Sequence, residues 1–290
     1  MPAKHAGPSW SLVSVIALTL ATLFAAIPST VKSPLSAAAA LRPEAVDSGG
    51  DDDHPLYVER SSLRPGLRDA LKTLGGRMEE PGKERLVMTG TLVRGSGSQS
   101  SPISLVLEFA DRLRLEEQVD GQSRAVIFDG QNAAVTGEEA LSGADRDLIE
   151  TLVCDSVEHF FAGQMRGVAT RSLGSNFRSE GDIAAGADSG PSYEAYEVTE
   201  TVNVGGEPRE QTKLYYFNTD TRLLEKVQYQ LARNGGQVAV EVRLGGWHEV
   251  QGQKLPASIV RLENNSPVLT VTITSTSIAQ RADDGIFGAQ

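Results

Sequence analysis

Cysteine, histidine and clustered positive charge are the scarcest features of this 290-residue chain. Cys154 is its only cysteine, which excludes an intramolecular disulfide, so the fold must be stabilised by burial of apolar side chains. Lys and Arg form no cluster and the net charge is −11. Nucleic-acid binding draws most of its affinity from clustered positive charge, so this composition argues against nucleic acid as a partner.

Signatures of catalysis are also missing from the sequence. It contains no H-E-x-x-H and no G-x-S-x-G pattern, and its glycine pairs separate predicted strands, where they form turns and not phosphate-binding loops. The acidic run Asp51–Asp53 with His54 lacks the spaced ligands of a calcium loop. We therefore predict no catalytic residue, no cofactor and no metal site.

The first forty residues have the layout of a signal peptide. Lys4 and Lys32 are their only charged residues, and an apolar run extends from Leu12 to Ile27. We predict cleavage near residues 38–40 and a periplasmic or secreted protein. The alternative is an uncleaved anchor in the inner membrane formed by residues 12–27, although these 16 residues are fewer than the roughly 20 of a typical spanning helix.

Residues 41–62 are predicted to be a flexible, acidic linker, and residues 63–290 a single β domain. Without residues 1–40 the chain has 25 Lys and Arg against 38 Asp and Glu, a net charge of −13. The ordinary interpretation of this acidity is solubility.

Alternating apolar and polar residues dominate the predicted domain. We count about ten short strands joined by Gly- and Asn-rich turns, which predicts a mainly β fold, an open antiparallel β-barrel or half-barrel with two covering helices. Residues 174–192 are predicted to form a loop or a bulky hairpin tip. The first helix is predicted over Leu67–Leu74, ending at Gly75-Gly76.

The second helix is predicted over residues 145–162. Its apolar residues cover a wide arc, which leaves Asp147, Glu150, Asp155 and Glu158 on the opposite face. Cys154 lies at the border of the apolar arc, which predicts a half-buried, unreactive thiol. His159 is interpreted as a residue of the helix surface, four positions from Asp155.

Five segments resemble the outer-membrane lipoprotein-sorting proteins of the LolA/LolB-like group. They share an order along the chain that spans most of the predicted domain. The segments are Leu74-Gly75-Gly76-Arg77 with Leu86–Leu92, Ala125–Gly130, Leu214–Leu224, Gly246–Pro256, and Asp283-Asp284-Gly285-Ile286-Phe287. The long linker, Trp247 in place of the usual Tyr, and the loop at 174–192 depart from the pattern.

This resemblance implies a concave apolar sheet face that holds acyl chains of lipids or lipoproteins beneath the helices. The residues that we predict to line such a site are Leu105, Leu107, Phe109, Leu152, Phe160, Phe161 and Trp247. The same residues would also suit a barrel filled by its own side chains.

Two functions follow from these alternatives. The first is an exported, non-enzymatic carrier of acyl chains, a hypothesis that a dry, fully packed interior would overturn. The second is a structural or interaction module of the cell envelope, which has the same fold, binds no lipid and contacts an envelope protein.

Overall fold

The computed structural model describes residues 63–75, 84–95, 97, 99–108, 111–119, 121–138, 140–177, 191–206, 208–233, 235–281 and 285–288. All of them belong to one compact unit, Asp53–Gln290. The predicted leader, the predicted linker and Phe109 lie outside the described residues, so these predictions are untested. None of the described helices has the length and apolar character needed to span a membrane.

Antiparallel strands form most of the described structure. Twelve of them make one sheet in the order β5-β4-β3-β2-β1-β14-β13-β10-β9-β8-β7-β6, and β11 pairs with β12 in a separate hairpin. Their bounds are β1 Glu84–Arg94, β2 Ser100–Glu108, β3 Arg112–Val119, β4 Gln122–Phe128, β5 Ala133–Val135, β6 Thr170–Phe177, β7 Tyr193–Val202, β8 Arg209–Asn218, β9 Leu224–Arg233, β10 Gly236–Gly245, β11 His248–Val250, β12 Gln253–Leu255, β13 Ser258–Glu263 and β14 Ser266–Gln280.

The sheet is open because β5 and β6 stand at its two ends. This confirms the predicted mainly β, unclosed antiparallel fold. Two details of the predicted strand positions were wrong. Residues 174–177 belong to β6 and not to a loop, and the strand predicted from Lys254 to Leu262 is divided into β12 and β13.

Period-two alternation explains which face each strand buries. In β3, Leu113 and Leu115 are completely buried, while Arg114 and Glu116 point to the other face. The pairing of β1 with β14 shifts its register at Gly90, where a side-chain Cβ would lie 2.0 Å from the carbonyl oxygen of Thr272. A glycine is therefore required where these two backbones approach most closely.

The first helix, α1 (Pro65–Leu74), confirms the prediction to within two residues. Pro65 occupies its first turn, where the backbone N–H that proline lacks would have no partner within the helix. It buries Leu67, Ala70, Leu71 and Leu74, and it ends at Gly75, whose φ is +90°.

The second predicted helix is broken into three pieces. These are α2 (Gly143–Ile149), a π-helical turn (Glu150–Cys154) and α3 (Val157–Met165). Ser142 caps α2 by accepting a hydrogen bond from the backbone N–H of Asp145, and Ser156 caps α3 by accepting one from that of His159. The second cap starts a new helix and thereby ends the previous one. We call residues 143–165 the helical segment.

Two apolar clusters form the interior of the sheet. The first cluster joins β1–β5 and β14 to α2 and the π-helical turn, and its buried residues include Leu86, Leu105, Leu115, Val126, Leu152, Val153 and Val271. The second cluster joins β7–β10 to α1 and α3, and its buried residues include Leu67, Phe160, Phe161, Tyr196, Tyr215, Phe217 and Val242. Ile259 of β13 packs against both.

Phe287 packs on the opposite face of the sheet. Phe287 packs with Ala125 and Ile127, and the guanidinium groups of Arg85 and Arg112 each lie 5.9 Å from the centre of its ring. This explains the closing aromatic of the last resembling segment as an apolar anchor. Asp283 and Asp284 of that segment lie outside the described residues.

Candidate functional site

Asp147, Glu150 and Asp155 of the helical segment face the sheet and pair with its cations. Glu158 is partly exposed. Asp155 is 0% and Glu150 2% exposed, so their predicted position on the outer side was wrong. The π-helical turn is one reason, because its Asp155 N–H to Glu150 C=O hydrogen bond rotates the following residues relative to an α-helix. The other reason is that the sheet presents buried cations to these carboxylates.

Lys213 of β8 lies at the centre of this contact and is completely buried. Its Nζ is 2.9 Å from Asp155 Oδ1, 2.9 Å from Glu200 Oε1, and donates a hydrogen bond of 3.0 Å to the carbonyl oxygen of Cys154. Burial lowers the pKa of Lys213, but the surrounding anions, Asp155 first, raise it well above its ordinary value. The ammonium group therefore stays charged, with one hydrogen bond to the Cys154 carbonyl and a carboxylate oxygen of Asp155 and of Glu200 at ion-pair distance.

Glu200 of β7 connects Lys213 to the helical segment through His159. The Nε2 of His159 is 2.9 Å from Glu200 Oε2. Burial would raise the pKa of Glu200, but the hydrogen bond with His159 and the charge of Lys213 lower it to about 2. His159 is therefore partnered by the sheet; the interpretation of it as a helix-surface residue was wrong.

Arg261 of β13 is a second completely buried cation. Its Nη1 donates to Tyr229 Oη at 2.8 Å, and this hydroxyl donates in turn to Asp155 Oδ2 at 3.0 Å. The same guanidinium lies 3.5 Å from Glu150 Oε2 and 3.3 Å from Asp147 Oδ1. Complete burial raises the pKa of Asp155 despite the opposing charge of Lys213.

Two further arginines pair with the carboxylates of the helical segment. Arg209 Nη2 lies 2.5 Å from Glu150 Oε1, and Arg233 Nη2 lies 2.6 Å from Asp147 Oδ1. We call the whole set the polar belt: Asp147, Glu150, Asp155, His159, Glu200, Arg209, Lys213, Tyr229, Arg233 and Arg261.

The polar belt joins the helical segment to the sheet. Its charged groups form ion pairs with one another. Cys154, beside it, is 5% exposed rather than half-buried, and burial raises the pKa of its thiol to about 12. Across the described part of the chain, no group of three His, Cys, Asp or Glu is arranged to hold a metal ion.

The predicted ligand residues do not form one site. Leu105, Leu107 and Leu152 belong to or contact the first cluster. Phe160, Phe161 and the partly buried Trp247 belong to or contact the second.

A narrow gap lies where the helical segment meets the ends of β1 and β2. Its volume is about 20 Å³, and its lining consists of Leu86, Leu107, Leu152 and Val153, with Glu108, Asp111, Arg112, Ser156 and Glu158. We call it the seam. A space of this size holds about one water molecule, whereas ligand pockets measure about 300–1,000 Å³. The seam as described is therefore too small to hold an acyl chain.

A larger hollow of about 570 Å³ at the tip of the β9–β10 hairpin is open to solvent and is lined by Ala232, Arg233, Gly235, Gly236 and Gln237. It lies outside the interior and contributes nothing to enclosing a ligand.

Sequence reasoning missed the polar belt, although one signal was present. Along β8, Lys213 occupies the same alternating face as the apolar Tyr215 and Phe217. A lysine on an otherwise apolar face predicts a buried partner of opposite charge.

Comparison with known proteins gives similarity of fold. No family model and no curated protein matches the chain. Similar solved structures include a LolA superfamily protein from Nitrosomonas europaea, with 10% identity over 75% of this chain and 96% of that one and a TM-score of 0.46. Another is an outer membrane lipoprotein-sorting protein domain from Vibrio parahaemolyticus. Its identity is 11% over 77% of this chain and 94% of that one, and the TM-score is 0.47.

Proposed function

We propose that this protein is an exported, non-enzymatic carrier that binds acyl chains of lipids or lipoproteins between the helical segment and the concave face of the sheet. The observation that carries the proposal is the architecture of that face. An open sheet presents a wide apolar surface, and a segment of three short helical pieces covers it. The signal peptide predicted at residues 1–40 supports delivery to the periplasm or beyond it.

Binding requires the helical segment to move away from the sheet. The seam is far too small for an acyl chain, which argues against a rigid cradle at this position. Displacement of the segment would expose Leu105, Leu107, Leu152 and Val153, and each methylene that is then buried against them contributes about 0.8 kcal/mol. A long acyl chain can offset the loss of the contacts between segment and sheet.

Native mass spectrometry of the mature protein, purified gently from the envelope fraction, tests the proposal. We expect a bound lipid or lipopeptide that is released on denaturation and identified after extraction. A bare polypeptide mass, with no lipid gained after incubation with envelope lipids, would contradict it. The same spectrum shows whether residues 1–40 are removed.

The packed interior favours a second candidate, a module of the cell envelope that binds a protein and no lipid. Retention of residues 1–40 as an anchor, together with a bare polypeptide mass, would support it. Affinity capture of the full chain from solubilised envelopes, followed by reconstitution with the purified partner, tests this function directly.

A further inference from the structure

Charged residues interrupt the apolar interior between its two clusters. Along β7, the inward-facing residues pass from Tyr196 and Val198 of the second cluster, through Glu200, to Val202 of the first. The helical segment shows the same order in reverse, from Leu152 and Val153 through Asp155 to Phe160. The polar belt therefore lies between the two clusters. We call the part of the interior formed by the first cluster the first compartment, and the part formed by the second cluster the second compartment.

The second compartment is filled by aromatic rings in edge-to-face and tilted contact. The ring of Phe160 lies 4.7 Å from that of Tyr215, 5.2 Å from that of Phe217 and 5.3 Å from that of Phe161. Helix α1 adds four buried apolar residues to the same cluster. Because these rings are packed so closely, small movements of the side chains would open little space for a ligand.

The first compartment differs because the seam opens into it. The four aliphatic residues that line the seam all belong to or contact the first cluster. Asp111 and Arg112 stand at its outer edge, and the charges of Arg112, Arg281 and Arg166 all act on Asp111. An amphiphile aligned with this opening would have its tail on aliphatic side chains and its polar end among charged groups.

We infer that an acyl chain occupies only the first compartment, reaching it through the seam, and that the polar belt is the end wall of the site. This inference rests on the proposed function and specifies it as binding of a single-chain amphiphile whose polar end stays near Asp111 and Arg112. A chain that passed the belt would have to separate Lys213 from Asp155 and Glu200, leaving buried charges without partners. The second compartment is then structural.

Photolabelling of the intact mature protein tests this placement. The probe is palmitic acid with a diazirine group near the end of its chain, and the labelled residues are identified by peptide mass spectrometry. We expect labels on residues of the first cluster, such as Leu105, Leu107 or Leu152, and none on Phe160, Phe161 or Tyr215.

A matched pair of substitutions gives a second measurement. Leu107→Trp fills the compartment beside the seam, and we expect it to weaken binding of the probe about tenfold or more. Val87→Trp introduces the same side chain on the outer face of neighbouring β1 and is expected to change binding by less than about twofold. Thermal unfolding of both variants shows whether each one folds.

The outcomes separate this inference from the proposed function. Failure of the unmodified protein to bind the probe would overturn the proposed function and this inference together. Binding accompanied by labels on Phe160, Phe161 or Tyr215, or binding that the folded Leu107→Trp variant retains in full, would overturn the placement and leave the carrier function standing.

Discussion

Lys213 and Asp155 form a completely buried ion pair, with 2.9 Å between Nζ and Oδ1, that joins β8 to the residue following the π-helical turn. Two oppositely charged groups in such a position are strongly coupled, because neither can be solvated when its partner is removed. The pair therefore fixes the position of the helical segment on the sheet.

Replacement of Lys213 by Met is expected to destabilise the protein strongly. Asp155 and Glu200 would both lose their cation while remaining buried, so the free energy of unfolding should fall by about 3–5 kcal/mol. Chemical denaturation followed by circular dichroism measures this change. The control Lys254→Met removes the partly exposed lysine that lies 3.4 Å from Glu249, and it should cost about 1 kcal/mol or less. Equal effects of the two substitutions would contradict the role of the buried pair.

Lowering the pH is expected to remove the part of the free energy of unfolding that Glu200 contributes. Its pKa is lowered from an ordinary value of 4.5 to about 2 in the folded protein, so its stabilisation is complete above pH 4.5 and disappears as the pH falls toward 2. The contribution is about 3 kcal/mol. The raised pKa of Asp155 acts in the opposite direction, because protonation of that carboxyl favours the folded state.

Glu200→Gln isolates this contribution. Urea unfolding of the variant at a series of acidic pH values should give a shallower loss of stability than the unmodified protein shows. Asp220→Asn, at an exposed position of the β8–β9 turn, serves as the control and should leave the pH dependence unchanged. A Glu200→Gln profile that runs parallel to that of the unmodified protein would exclude Glu200 as its source.

Cys154 is expected to report on opening of the helical segment. Its thiol is buried and its pKa is raised to about 12. An aromatic disulfide reagent at mildly alkaline pH should therefore modify this thiol about a thousandfold or more slowly than it modifies the same thiol in the unfolded chain. Absorbance of the released thiolate follows the reaction. Ser123→Cys in a Cys154→Ser background places a thiol at an exposed position of β4 and should react rapidly. Rapid modification of native Cys154 would show that the segment does not cover it.

Truncation of the C-terminal aromatic is expected to weaken the outer face of the sheet. Phe287→Ala removes the ring that contacts Ala125 and Ile127, and it should lower the free energy of unfolding by about 3 kcal/mol. Phe177→Ala removes a ring that is 37% exposed and should cost about 1 kcal/mol or less. Denaturant titration of both variants compares them. A loss at Phe287 no larger than that at Phe177 would show that the anchor contributes little.

The local patterns of the sequence determined the type and approximate position of most elements. Alternation in segments such as Arg112–Val119 requires one apolar face, and Pro65, Gly75 and the spacing of Leu67, Leu71 and Leu74 define α1. These signals involve residues close together in the chain, so they can be read without knowledge of the fold. β6 escaped detection because Gly174 and Asn176 have positive φ values and its pairing with β7 is irregular.

The polar belt and the closure of the interior were decided only by the tertiary structure. Asp155 and Lys213 are 58 positions apart, and helical periodicity by itself assigned Asp155 to the solvent side. The break at Ser156 and the π-helical turn changed which face of the segment meets the sheet. Whether an apolar interior is filled or empty depends on how side chains from distant strands fit together, and this fit cannot be derived from the composition or the spacing of the residues.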